Sequence, residues 1–467
     1  MTVVALIGGQ WGEEGKGKIT ELLSEQSKVV ARFSGGGSLK QPVVNDQGRF
    51  NLQFIPRSIF SSKAISVLAA GMVIDPRRLL EEMDELSQHG VDLRRLFISE
   101  HCHLIMPYHS VLEEVERRAY GTPVIDALAS GIGPAFADKM SRIGIRMSDL
   151  IQEEQFLSRL SKTLAVKNDI LTKVFGKEPL SLQKIYHEYV AYGRQLRERM
   201  FDTRLILQRA IESGHRVLLE SDQGSMLDLD FGPYPYVSNI APTTGGATYG
   251  SGVPPSQVTS SIGVFGAYIT RRQTGPFTTE MNKDEAAPLM RVHILNQPLT
   301  VAVAKANNSA ALTGAASENY RRHGWFDAVA ARFVAQLNGL TSMALTHLDG
   351  LDAFPIIKIC IRYQVHDAAI SRFPSDLATL RIATPVYEEM PGWLSTTTHV
   401  SSYAQLPPAC KDFIQRIQAL VGVPISILST GMERDDTIIL RDPFLTTPSA
   451  PPISSHLPSP AMPPTFS

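Results

Sequence analysis

The sequence predicts an α/β protein built around a large, mainly parallel sheet with helices packed on it. Three observations predict it. An apolar, β-branched run from Thr2 to Ile7 ends at Gly8-Gly9 and passes through a glycine-rich turn into a helical pattern. Further short apolar runs alternate with helical stretches, as parallel strands joined by crossovers do. Hydrophobic residues are 43% of the 467 and charged residues 19%, which supports a sizeable core rather than a disordered chain.

Each element has a local reason. Thr2–Ile7 carries no polar alternation, so it reads as a strand buried on both faces. Ile19, Leu22 and Leu23 recur at helical spacing and predict a helix to Gln26. Val29–Phe33 is a second strand, followed by Gly35-Gly36-Gly37, and Ala64–Ala69 is a third. Leu79, Leu80, Met83 and Leu86 predict a helix over Pro76–Gln88. Glu153–Ser213 is mostly helical in pattern, and Arg216–Glu220, Ala344–Leu348 and Pro424–Leu428 read as strands. Ala328, Ala331 and Val334 mark a helix facing the core. From Thr446 onward Pro and Ser dominate without periodicity, so 445–467 is predicted to be a disordered tail.

Composition excludes several classes of function. Lys+Arg is 45 and Asp+Glu is 46, a formal charge of -1, so no global basic field is available to hold nucleic acid. Cys102, Cys360 and Cys410 are far apart and form no CxxC, which argues against a disulfide framework or a cysteine zinc site and fits a reducing compartment. The first apolar run has no basic segment before it, and no uncharged stretch reaches the roughly 18 residues of a membrane span. His101, Cys102, His103 and His109 lack a standard zinc spacing and read as packing residues, and Arg271-Arg272 reads as a solvated charge pair.

Gly12-Glu13-Glu14-Gly15-Lys16-Gly17-Lys18 fits G-x-x-x-x-G-K between the first strand and the first helix, a P-loop NTPase-like arrangement. The glycines let backbone N–H groups close on phosphate oxygens, and the helix N-terminus favours negative charge. Ile19 stands where such loops carry a magnesium-binding hydroxyl, so a metal requires a carboxylate, and Glu13 is the nearest.

The wider segment GGQWGEEGKGK closely resembles the GTQWGDEGKGK opening of adenylosuccinate synthetases. Further segments are similar to that family in the same order. They include Gly131–Lys139 (GIGPAFADK), Gln223-Gly224 with Leu227–Asp230 and Pro233–Val237, Gly324–Asp327, Thr346–Asp349, Met390–Trp393, Ser429–Gly431 and Arg441–Phe444. The resemblance implies one α/β domain over 1–444, a cytoplasmic homodimer, and GTP-dependent joining of aspartate to IMP with Mg2+. Gly12, Gly15, Lys16, Gly17 and Lys18 would cradle GTP phosphates, with Arg321 also contacting nucleotide. Asp349 would accept from the two adjacent guanine N–H groups, with His347 beside it and Ser429, Thr430 and Gly431 as a second base-side contact. Lys16, Ser38, Gln223 and Ser238 would face IMP, and Arg142 would reach the nucleotide phosphate of the partner subunit.

The reacting centre departs from the family pattern. The implied catalytic base and metal ligand, an aspartate in the family, is Glu13. The general-acid histidine position holds Gln41, whose amide donates a hydrogen bond but carries no transferable proton near pH 7. Lys40 replaces a metal-side glycine, Leu128 replaces a threonine that contacts the IMP phosphate, and Ser130 replaces an intervening arginine. In the loop expected to take the amino acid, Ser317 is a polar contact and Asn319 stands where the family has the arginine that clamps aspartate. These changes predict weak aspartate binding and slow chemistry, and leave room for another amine or a related 6-oxopurine nucleotide. The alternative they raise is a nucleotide-binding paralogue without ligase activity.

Overall fold

The computed structural model describes residues 3–37, 41–45, 47–120, 130–272, 274–295 and 321–445. Its centre is a ten-stranded sheet. In chain order the strands are β1 Val3–Gly8, β2 Val29–Arg32, β3 Ile65–Leu68, β4 Leu96–Ser99, β5 Met200–Phe201, β6 Val217–Gly224, β7 Val258–Gly266, β8 Ser342–Thr346, β9 Ile425–Ser429 and β10 Thr437–Ile439. Across the sheet they lie in the order β10-β9-β8-β7-β1-β6-β2-β3-β4-β5. Every pairing is parallel except β9 with β10 at one edge.

β1 is central, with Ala5 opposite Leu219 of β6 on one side and Ser261 of β7 on the other. Its side chains alternate between two cores. Val3, Ala5 and Ile7 pack with Val29, Val67, Leu207 and Ala247, while Val4 and Leu6 pack with Ile19 and Leu23 of the first helix. All six β1 residues are buried, which is why the sequence shows an unbroken apolar run there.

The helix predicted over Pro76–Gln88 has those bounds. Asp75 caps it by accepting from Arg77 N at 3.0 Å and Arg78 N at 3.2 Å, and Pro76 fits the first turn because no N–H is needed there. The long helical stretch resolves into Glu153–Asp169, Leu182–Leu196 and Thr203–Glu212. Gly176 at φ +63° and Pro179 lie in the first break, and Ser181 and Asp202 cap the two restarts. The helix Ala328–Asn338 turns Ala328, Ala331 and Val334 to the core.

Beside β1, Arg32 of β2 and Glu220 of β6 form a buried ion pair of 3.0 Å. Arg32 also donates to Gln53 O at 3.1 Å, and Glu82 accepts from the N–H groups of Gln53, Phe54 and Ile55. Gln53 in turn donates through its side-chain amide to Gly37 O. A buried charge network thus fixes the Gly35–Gly37 segment at the carboxyl end of the sheet. No helix among the described residues is long and apolar enough to cross a membrane.

Candidate active site

The carboxyl ends of β1, β6, β7 and β8 lie side by side, and the loop from Gly9 to Gly15 leaves β1 there. Glu14 fastens that loop. Its Oε1 accepts from Gln10 N and Gly12 N at 2.8 Å each, its Oε2 lies 3.2 Å from Lys16 Nζ, and its carbonyl accepts from Thr346 Oγ1 at 2.7 Å. The role of Glu14 is not visible in sequence, where it is one acidic residue beside another. Gly15 at φ +73° opens the helix Lys16–Ser24 in a conformation that suits glycine, and Gly12 at φ +99° does so within the loop. A side chain on Gly12 would meet Gln223 Oε1 at 3.0 Å, so β6 brings Gln223 directly against the loop.

Lys18, one turn into the helix, ties it to the segment after β9. Its Nζ donates to Ser429 Oγ at 3.0 Å and to the carbonyls of Gly431 and Asp436 at 2.9 Å each. Thr430 is buried and donates to Val400 O at 3.1 Å. Burial lowers Lys18 from the ordinary lysine value of 10.5 to about 8, against the opposing pull of Asp436 and Asp349. Between those values the unfolded chain holds a proton that the folded chain has released. Stability therefore rises as pH climbs from about 8 towards 10.5. Lys18→Met should flatten that part of a stability–pH curve measured by urea unfolding, and an unchanged slope would reject the assignment.

His347 sits beneath the same loop, at φ +60°. A side chain on Gly15 would meet its Nε2 at 3.0 Å, and its ring lies 5.6 Å from that of Tyr268. Burial lowers its pKa to about 4, so the imidazole is neutral near pH 7. Asp349 follows on the 3-10 turn Leu348–Leu351, half-buried, its carboxyl raised by burial with Lys18 opposing. Ser238 is buried and its hydroxyl donates to Leu227 O at 2.8 Å. Arg142 is exposed, at φ +63° just beyond the helix Ile132–Met140, on the surface.

Glu13 is held between two arginines. Its Oε1 lies 3.1 Å from Arg272 Nε and its Oε2 3.5 Å from Arg321 Nε. Arg271 and Arg272 are therefore not a solvated pair. Arg271 is fully buried, stacked 3.7 Å over the Trp11 ring, and donates to Thr274 O and Pro276 O. Burial brings it down to about 9. Two adjacent arginines look alike in sequence, whereas β-pairing sends one inward and the other to Glu13. Asp222 of β6 is a further buried carboxyl, raised by its burial, that sequence reading passed over.

His109 and Cys102 serve packing. His109 Nδ1 accepts from Met106 N at 2.9 Å while Nε2 faces Asp138 at 2.9 Å, and Cys102 Sγ donates to Ala69 O at 3.1 Å. Ser38, Lys40, Leu128, Ser317, Asn319 and residues 446–467 lie outside the described residues, as does the side chain of Gln41. The backbone of Gln41 opens a short strand, Gln41–Asn45, paired with Gly48–Leu52.

Comparison with known proteins adds an independent line. A family model described as adenylosuccinate synthetase matches residues 5–438. The adenylosuccinate synthetase of Limosilactobacillus fermentum is 40% identical over 444 residues, covering 95% of this chain and 100% of that protein. That of Carboxydothermus hydrogenoformans is 41% identical over the same length and coverage. The fully ligated adenylosuccinate synthetase structure from Plasmodium falciparum superposes with a TM-score of 0.82 at 29% identity, covering 94% of this chain and all of that one. The glycine-rich loop after β1, the parallel sheet and near-complete coverage agree, and the chain belongs to the adenylosuccinate synthetase family.

Proposed function

We propose that this protein is a GTP-dependent ligase that phosphorylates IMP on O6 and displaces the phosphate with the amine of aspartate. The observation that carries the reading is the three-acceptor grip of Lys18. It draws a phosphate-binding loop and the 429–436 segment into one site, within electrostatic reach of Asp349. Phosphate and base ends of one purine nucleotide would be read together there. Gly12, Gly15, Lys16, Gly17 and Lys18 receive the phosphates, with Arg321 at their outer end. Asp349 accepts from guanine, flanked by His347 and by Ser429, Thr430 and Gly431.

For the second nucleotide, Gln223 presents its amide beside Gly12, and Lys16, Ser38 and Ser238 complete the polar lining. Arg142, exposed and free of the local cleft, suits a phosphate of the partner subunit in a homodimer. Glu13, set between two guanidiniums, removes the N1 proton of IMP so that O6 becomes nucleophilic. Gln41 orients the phosphoryl oxygen, and Ser317 and Asn319 face the amino acid. One carboxylate beside a phosphate loop is the donor set Mg2+ uses together with nucleotide phosphates, so Glu13 fits a metal-ligand role. Bound there, Mg2+ would neutralise phosphate charge. The domain would span 1–444, in the cytoplasm.

The test is phosphate release with GTP, IMP and aspartate together, followed by a panel of amines. Release that needs all three substrates supports the reading, and none with any amine rejects it. For the guanine assignment, Asp349→Ala should weaken GTP binding by about 1.5–3 kcal/mol, the scale of hydrogen bonds to a charged group. Calorimetry with GTP and ATP checks it, and equal ATP affinity in the parent would overturn it.

A further inference from the structure

Arg272 is the last described residue before position 273, and Arg321 is the first after 320. They face each other across a short antiparallel pairing. The strand Ile269–Arg271 pairs with Arg322–Gly324, with Arg271 opposite Arg322, and Arg272 and Arg321 flank that last pair, close enough for their charges to act on each other. Both guanidiniums point at Glu13, one at each carboxylate oxygen. Two positive charges share one negative charge, which leaves the cluster one anion short. The buried Nε of each arginine also makes no aligned hydrogen bond among the described residues, despite lying near Glu13. Both guanidiniums are thus directed at one carboxylate. Arg322, by contrast, is committed to Glu280 and to Gly275 O.

The occupant the cradle already accepts is a carboxylate, spread over two oxygens. We propose that Arg272, together with Arg321, binds a carboxylate of the amino-acid substrate, with Glu13 holding the place until that substrate arrives. The inference rests on the ligase reading for the identity of the ligand. It gives the amino-acid site a guanidinium that Asn319 does not supply, and it revises the expectation of weak aspartate binding.

The test is calorimetric titration of aspartate into the full-length chain saturated with IMP and a non-hydrolysable GTP analogue, where no turnover can occur. Arg272→Gln should weaken aspartate at least about 10-fold, the lower end for hydrogen bonds to a charged group. Arg272→Lys, with charge but no planar fork, should fall between the two. Unchanged IMP affinity in both variants certifies the fold. In steady state the loss should appear in the aspartate KM. Unaltered aspartate affinity in Arg272→Gln overturns the proposal. So does a loss of the first step at constant aspartate KM, which would make Arg272 a holder of Glu13 only. Aspartate binding that depends on Arg272, in a chain that releases no phosphate, upholds the carboxylate site and rejects the ligase reading instead.

Discussion

A Glu13→Gln chain should form the 6-phosphoryl nucleotide roughly 10²–10⁴-fold more slowly than the parent, the range of one general base. The amide cannot take the N1 proton, and it leaves Arg272 and Arg321 facing each other without the carboxylate that now separates them. Single-turnover measurement without aspartate isolates this step from amino-acid binding. A rate within threefold of the parent would remove Glu13 from the chemistry. The reciprocal change is equally informative. Gln41 supplies no proton, so Gln41→His should accelerate the same step, and Glu13→Asp with Gln41→His should exceed either single change. Lys40→Gly is the next addition if the double variant stays slow.

Glu220→Leu should destabilise the folded chain by about 3–5 kcal/mol, the cost of leaving a buried charge without its partner. Arg32 is fully buried between strands, and its two carbonyl acceptors at Gln53 and Phe54 do not balance a full positive charge. Urea unfolding with nucleotide absent measures the effect. Replacing both members, Arg32→Met with Glu220→Leu, should recover only part of the loss, because the unpaired guanidinium is gone but buried Asp222 and Glu82 lose their nearby positive charge. A single-variant midpoint equal to that of the parent would mean that water or another anion reaches Arg32.

How much of this was legible in sequence depends on the range of the interaction. Strand β1, the phosphate loop and the bounds of Pro76–Gln88 follow from local signals: an apolar run, glycines at forced turns, a capping Asp75 before a proline. The long helical stretch gave its type but not its divisions, although Gly176 and Pro179 mark the first of them. What stayed hidden is set by partners distant in the chain. Lys18 finds its acceptors 411 or more residues away, and nothing near it in sequence announces them. Arg271 and Arg272 are indistinguishable until β-pairing assigns one to Trp11 and the other to Glu13. Glu14 looks redundant beside Glu13 until its carboxylate is seen bonding the loop backbone.

The central position of β1 has a cost during synthesis. Its two neighbours, β6 and β7, begin at Val217 and Val258, so β1 is made long before it is enclosed. At ~5–20 residues per second, the roughly 250 residues in between occupy on the order of 10–50 s on the ribosome. Until β6 is made VVALIG, uncharged, β-branched and without proline, is free on both sides, and until β7 is made it is free on one. A nascent chain stalled before residue 266 should therefore be captured by holdase chaperones or by its own copies through this segment. Release of the newborn protein would then be limited by the emergence of β7, long before any substrate is met.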